Sequence, residues 1–89
     1  MRFTWDAKKA AANLKKHRVA FPEASTVFAD PLALEVTDDL DDDRAILVGE
    51  SAKRRCLYTV FVELSQQETR IISARRATAH ERRKYEEGD

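Results

Sequence analysis

Positive side chains are concentrated in two short stretches of this sequence. Residues 70–84 hold a single acid, Glu81, and six bases, which are Arg70, Arg75, Arg76, Arg82, Arg83 and Lys84. A second basic group consists of Lys53, Arg54 and Arg55. A guanidinium group stays protonated and its fork matches two phosphate oxygens. The two stretches therefore predict a phosphate-binding region.

Negative side chains are concentrated elsewhere, since residues 30–43 contain seven acids and no base. The whole chain has 16 basic and 16 acidic residues and a formal net charge of zero. This balance argues against an indiscriminate nucleic-acid coat protein and indicates a bipolar molecule. We interpret the run Asp38–Asp43 as a solvated turn; the alternative is that it repels misplaced nucleic acid or contacts a basic partner.

The sequence offers no metal or cofactor motif. His17 and His80 are far apart and neither lies in an H-E-x-x-H motif, while the Asp run lacks the glycine and closing glutamate of a calcium loop. We therefore expect neither a metal nor a cofactor.

Cys56 is the single cysteine and is interpreted as a buried thiol in a reducing compartment. With no membrane-length apolar run and no signal-peptide core after Met1, the predicted location is the cytoplasm and no membrane contact is expected.

The hydrophobic pattern predicts an α+β fold with one domain over residues 1–89. Phe3 and Trp5 mark a first strand, Asp6 caps a helix over residues 7–17, and a second helix covers Phe21–Phe28. Segments rich in β-branched and aromatic residues then predict further strands: LALEV, RAILVG, CLYTVFVEL and TRIISARRA. The tail ATAHERRKYEE predicts a last helix. The expected architecture is an antiparallel sheet of four to five strands with two N-terminal helices and one C-terminal helix.

Strand periodicity constrains the arginines of the TRIISARRA segment. Alternation places Arg70 and Arg76 on one face and Arg75 on the other. Arg75 and Arg76 therefore cannot both point at one site unless the strand ends or bulges there.

Several motifs together resemble the BrnT family of type II toxins, and they run through nearly the whole chain. They are F-x-W-D at residues 3–6, N-x-x-K-H at 13–17, F-x-E-A-x-x-V-F-x-D-P at 21–31, R-I-I-S-A-R-R-A at 70–77 and E-R-x-x-Y at 81–85. The family usually has glycine after the Lys-His pair, where this chain has Arg18. If that position is a left-handed helix cap, Arg18 costs about 1 kcal/mol there.

The resemblance implies a RelE-like fold and the activity of a ribonuclease that cuts RNA and arrests translation. It also implies neutralisation by a BrnA-like antitoxin whose ribbon–helix–helix part binds operator DNA. Cleavage without a metal would use the ribose 2′-OH as nucleophile, so the protein must move protons and offset charge on the phosphate.

On this basis six residues are expected to be catalytic: His17, Arg54, Arg55, Arg75, Arg76 and Tyr85. One arginine of each adjacent pair would clamp the phosphate, His17 would transfer protons, and Tyr85 would stack on a base or relay a proton. Four more residues are expected to bind RNA: Lys16, Lys53, Arg70 and Arg82.

Structural roles compete with these functional ones. His17 favours the negative end of a helix dipole, Tyr85 can anchor the last helix, and Arg70 can pair with an acid. Glu81 can cap or form a salt bridge, and Phe3 and Trp5 suit the core. At the level of the whole protein, the alternatives are a non-catalytic corepressor that joins a DNA-binding partner and a structural subunit that completes another protein's fold.

Overall fold

The fold consists of five strands and three α-helices in the described part of the chain, residues 1–37 and 43–88 of a computed structural model. The strands are β1 (Arg2–Thr4), β2 (Leu34–Thr37), β3 (Ala45–Glu50), β4 (Cys56–Glu63) and β5 (Glu68–Arg76). The helices are α1 (Ala7–His17), α2 (Phe21–Thr26) and α3 (Ala79–Glu87), and a 3₁₀ turn (Val27–Ala29) follows α2. The turn predicted at residues 38–43 lies outside the described residues except for Asp43.

The strands form one sheet in the order β1-β5-β4-β3-β2. Strands β2 to β5 pair antiparallel, as the short connections predict, and the α+β class is confirmed. The difference is β1, which pairs parallel to β5, with Phe3 opposite Thr69. Their pairing spans 66 positions, so no local turn signal announces its direction.

The helix ends follow the predicted capping chemistry. Asp6 accepts hydrogen bonds from the amides of Lys8 and Lys9 at 2.8 and 3.0 Å. Thr78 and Glu81 form a reciprocal capping box at the start of α3, and Gly88 ends that helix in the left-handed conformation. The second helix is shorter than predicted, because the last two residues of the predicted range, Val27 and Phe28, form a 3₁₀ turn with Ala29 before Pro31.

The core lies between α1, α2 and one face of the sheet. Its buried side chains are Val19, Phe21, Ala24, Val27, Leu47, Leu57, Phe61, Ile71 and Ala74. Phe3 and Trp5 pack against this cluster, Trp5 edge-on to Phe21 at 6.0 Å between ring centres. The core interpretation of both aromatics is therefore confirmed.

A bulge in β5 changes which of its side chains face the core and which face the opposite side of the sheet. Tyr58 pairs with Arg75, Val60 with Ser73 and Val62 with Arg70, with a register shift between Val60 and Phe61. Because directly paired residues of an antiparallel sheet share a face, Arg70, Ser73 and Arg75 all lie on the face away from the core. The prediction that Arg70 and Arg75 lie on opposite faces was wrong, since the extra residue in β5 reverses its alternation. Arg76 pairs with Leu57 and lies on the core side.

Helix α1 lies along the free edge of β5 and is fixed there by one side chain. The Asn13 amide donates to the carbonyl oxygens of Ala74 and Val19 at 2.8 and 3.0 Å and accepts from the Ala74 amide at 3.1 Å. The Asn13 side chain thus bonds the backbone N–H and carbonyl oxygen of Ala74, as a neighbouring strand would. This contact keeps α1 at the edge of the sheet.

Arg18 occupies the left-handed C-cap of α1, with φ 59° and ψ 30°. Replacing it with glycine is expected to raise the free energy of unfolding by about 1 kcal/mol, because glycine adopts this conformation without steric penalty. Thermal unfolding should then shift upward by roughly 4–8 °C. Arg18→Ala is the matched control, since it removes the same side chain and keeps the Cβ. Equal midpoints for the two variants would show that the backbone conformation is not the cause.

Candidate active site

A groove opens between α3 and the sheet face away from the core. Its cavity has a volume of about 510 Å³. Leu34, Val48 and Tyr58 form its floor, and His80, Glu81 and Lys84 line it from α3. No residue of α3 is itself buried, so this helix covers the sheet without sealing it. The groove is a mainly apolar cleft with His80, Glu81 and Lys84 on the α3 side and the carboxylate of Glu35 on the β2 side.

Arg75 is the most firmly held cation at this groove. Its Nη1 and Nη2 atoms donate to the two carboxylate oxygens of Glu81 at 2.8 and 2.9 Å, and Nη1 also donates to the Arg76 carbonyl at 3.1 Å. The guanidinium carbon lies 3.9 Å from the centre of the Tyr58 ring. The pair with Glu81 raises the pKa of Arg75, and the hydrogen bonds from Arg75 lower the pKa of Glu81 despite its partial burial.

The free edge of this guanidinium is its chemically important part. The hydrogen bonds to Glu81 and the Arg76 carbonyl use both Nη1 donors and one Nη2 donor. Nε–H and the second Nη2–H have no acceptor among the described residues. These two donors form the side of the guanidinium that binds a phosphate or carboxylate in a fork. Arg75 is therefore oriented by Glu81 and keeps a two-donor edge for an anion.

His80 and Lys84 face the same cavity, although neither is among the catalytic and RNA-binding residues expected from the sequence. They stand four positions apart on α3, so they share one side of the helix. That spacing, placed after the Thr78 cap, is the signal that would have identified them. Together with Arg75 they put two cations and one imidazole at a single cleft.

Tyr85 lies at the far end of α3 and is bound to a loop. Its hydroxyl donates to Oδ2 of Asp30 at 2.5 Å, which raises the pKa of Tyr85 to about 12. Partial burial opposes ionisation of Asp30, but the hydrogen bonds from Tyr85 and from the Glu50 and Leu32 amides together lower the pKa of Asp30. This geometry matches the anchoring alternative for Tyr85, with Asp30 as the anchor.

The basic turn between β3 and β4 presents its two arginines differently. Arg55 donates to both carboxylate oxygens of Glu23 and to the Arg18 carbonyl, the latter at 3.1 Å. Its guanidinium is thus directed inward, and its hydrogen bonds lower the pKa of Glu23. The Arg54 side chain is 85% exposed and pairs loosely with Glu50 at 3.3 Å. Of the two predicted clamps in this turn, Arg54 is the one that faces solvent.

The remaining predicted residues lie at separate places. Lys53, Arg76 and Arg82 are exposed. Burial raises the pKa of Cys56, although the positive charge of Arg82 acts to lower it. His17 and Lys16 line a second cavity of about 240 Å³ beside β5, together with Lys9, Ile72 and Ser73. The structure therefore brings Arg75 together with residues of α3 and places His17 in a different cavity.

The described residues provide neither a metal-binding cluster nor a helix that could cross a membrane. No group of three or more His, Cys, Asp or Glu residues is arranged to hold a metal ion among residues 1–37 and 43–88. Within the same part of the chain, no helix is both long and apolar enough to cross a membrane.

Comparison with known proteins identifies the family. A model described as the ribonuclease toxin BrnT of type II toxin–antitoxin systems matches residues 5–81. No curated relative matches the sequence. Among solved structures, the fold is similar to the Brucella abortus ribonuclease toxin BrnT, with a TM-score of 0.73 and 22% identity over 88% of this chain and 97% of that one. The matched region contains the motifs at residues 5–6, 13–17, 21–31 and 70–77 and the groove residues Tyr58, Arg75, His80 and Glu81, so the chain belongs to the BrnT family of ribonuclease toxins of type II toxin–antitoxin systems.

Proposed function

We propose that this toxin is an endoribonuclease that cleaves RNA through its own 2′-OH, without a metal, at the groove beneath α3. The observation that carries the proposal is the two-donor edge of Arg75, which Glu81 and Tyr58 hold at a cleft also lined by His80 and Lys84. Inhibition of translation would follow from cutting RNA that is being translated.

The reaction asks three things of the protein. The 2′-oxygen forms a bond to phosphorus while the bond from phosphorus to the 5′-oxygen breaks, which leaves a 2′,3′-cyclic phosphate and a 5′-hydroxyl. One proton leaves the 2′-OH, one proton reaches the departing oxygen, and negative charge builds on the phosphate oxygens. A fixed guanidinium in a partly dry cleft stabilises that charge better than water does. Arg75 supplies this function, and Lys84 adds a second positive charge.

Proton transfer is assigned to His80 in this proposal. Histidine is the side chain that most readily exchanges protons near neutral pH, and His80 lines the same cavity as Glu81 and Tyr58, the two residues that hold Arg75. Glu81 positions Arg75 and is kept ionised by it. His17 is the alternative proton-transfer group, and it would require RNA to reach the second cavity.

The other sequence-predicted residues take supporting roles. Arg54 stays a candidate phosphate clamp, and Lys53 and Arg82 are candidate contacts to flanking RNA. Arg76 lies on the opposite face of β5 and is given no part in cleavage. Arg55 and Tyr85 hold the β3–β4 turn and α3 in place. Apart from the candidate clamp Arg54, this assignment puts the chemistry on one strand, β5, and on the first two turns of α3.

The partner belongs to the same proposal. We infer a BrnA-like antitoxin with a ribbon–helix–helix part that binds operator DNA, and action in the cytoplasm. The type II classification of the family supports an antitoxin, and the resemblance of the motifs supports its type.

The test is incubation of the purified chain with RNA, with and without EDTA, followed by analysis of the product ends. We expect cleavage that EDTA does not abolish, with cyclic phosphate and 5′-hydroxyl ends. The same RNA carrying 2′-O-methyl groups should stay intact because its nucleophile is blocked. Intact unmodified RNA that only shifts in mobility would contradict the proposal and favour the non-catalytic corepressor.

A further inference from the structure

We propose that α1 and β5 form a second RNA-binding subsite, which holds phosphates of the strand that flanks the cleaved bond. We name it the α1–β5 track; it consists of Lys9, Lys16, His17, Arg70 and Ser73. The inference rests on the proposed function, because it assumes that RNA is the ligand of the neighbouring groove.

The first observation is that these side chains border one surface. Lys9, Lys16 and His17 line the cavity beside β5, with Ser73 on the strand side and a volume of about 240 Å³. Ala12 lies between the two lysines on this side of the helix and leaves room for a ligand. Because the Asn13 amide bonds fix α1 to β5, the cations stand on a rigid platform.

The second observation is that the β-bulge aligns this surface with the groove. It brings Arg70 to the same face as Ser73 and Arg75. Ser73 and Arg75 are two residues apart on one strand, a separation of about 6.6 Å. One nucleotide of backbone can cover that distance. A strand whose scissile phosphate meets Arg75 can thus continue past Ser73 toward Lys16, Lys9 and Arg70.

The third observation is that the positive charges of the track have no ion-pair partner. Among residues 1–37 and 43–88, no carboxylate forms an ion pair with Lys9, Lys16 or Arg70. The charges of Lys9 and Arg70 reach Asp6, and that of Arg70 also reaches Glu68. Asp6 already accepts from the amides of α1, and Glu68 already pairs with Arg2 at 2.6 Å. These cations are therefore available to bind an anion beside the groove, although the formal net charge of the whole protein is zero.

The composition of the track favours RNA over an acidic protein. Protein interfaces are centred on buried aromatic or large apolar anchors. Apart from the small Ala12, Ile72 is the one apolar side chain among the residues named for this cavity, and it is half-buried. Binding to a phosphate backbone needs cations alone and is expected to depend strongly on salt.

The test compares two double variants on RNA that cannot be cleaved. Lys9→Gln with Lys16→Gln removes two charges from the track, and Lys8→Gln with Lys15→Gln removes two from the same helix outside the cavity. Affinity for a 2′-O-methyl 12-mer is measured by fluorescence anisotropy from 50 to 200 mM salt. For the track variant we expect about tenfold weaker binding and a salt slope lower by about 1.4, since each phosphate contact on a single strand contributes about 0.7. The control variant should lose much less.

Length dependence gives the second readout. A dinucleotide fills the groove alone, so the track variant should bind and cleave it as the wild type does, while KM for the long RNA rises and kcat stays the same. Equal losses for the two double variants, an unchanged 12-mer affinity, or weaker binding of an antitoxin with unchanged RNA binding would each overturn the inference. Because the binding assay uses uncleavable RNA, failure of the wild type to cut RNA would refute the proposed function without affecting this result.

Discussion

Replacing Arg75 with alanine is expected to lower kcat/KM for RNA cleavage by about 10²–10³-fold. The variant loses the two-donor edge at the cleft, and a preorganised donor of developing negative charge typically contributes an effect of that size. The loss should appear mainly in kcat, because the interaction strengthens as charge builds on the phosphate. Initial rates on a fluorescent RNA measure it, and growth arrest on expression gives an independent readout.

Arg76→Ala is the matched control for Arg75→Ala. It removes the same side chain from the next position of β5, where the residue is exposed and lies on the opposite face. Its cleavage rate should stay close to that of the wild type. Arg75→Lys keeps the charge but loses the fork, so it should recover only part of the activity. A folded Arg75→Ala variant that remains fully active and toxic would remove Arg75 from the mechanism.

The capping features of this fold were predictable because each depends on residues a few positions apart. Asp6 caps α1 through amides two and three residues on, and Thr78 and Glu81 close a box within one turn. The left-handed Arg18 was also recognisable, since the family resemblance marked a glycine position. Such signals are local in the chain and need no knowledge of the tertiary structure.

The features that build the groove depend on distant residues and were not predictable in this way. The bulge in β5 exists only in relation to β4, and it decides that Arg70 shares a face with Arg75. Tyr85 meets Asp30 across 55 positions. His80 acquires a role only when the sheet comes to lie beneath α3. An alternating pattern can show that two arginines diverge, but it cannot show which one meets a carboxylate and an aromatic ring.

Replacing Arg55 with alanine is expected to lower the free energy of unfolding by about 3 kcal/mol and Tm by at least about 10 °C. Glu23 is the reason, because its side chain is only 3% exposed and would keep its charge without the guanidinium partner. The Ser51 hydroxyl, at 2.7 Å, would be its remaining side-chain donor. Arg54→Ala is the control, since it removes the neighbouring exposed arginine and should change stability by less than about 1 kcal/mol. Chemical denaturation of the three proteins measures the difference.

This comparison also separates the two roles considered for Arg55. A phosphate clamp would leave stability intact and reduce cleavage, whereas a structural ion pair reduces stability and leaves cleavage nearly unchanged below the new Tm. The inward direction of the guanidinium, toward Glu23 and the Arg18 carbonyl, predicts the second outcome. Loss of cleavage with unchanged unfolding would show that the clamp assignment was right.

The pH dependence of the free energy of unfolding follows from the direction in which the pKa of Glu23 is shifted. Its pKa is lowered in the folded protein, so the ion pair stabilises fully above the unfolded-state pKa, near 4.5, and this contribution is lost as pH falls through the folded-state value. In Arg55→Ala, burial without the partner should instead raise the pKa of Glu23, so acid relieves the unpaired charge. The difference in free energy of unfolding between wild type and Arg55→Ala should therefore become smaller as pH falls from 7 to 4.

Adding Glu23→Gln to Arg55→Ala should reduce this stability gap at pH 7 as well, because the amide removes the charge that the arginine had balanced. A gap that stays constant with pH and persists in the double variant would mean that lost packing, rather than an unpaired carboxylate, destabilises the protein.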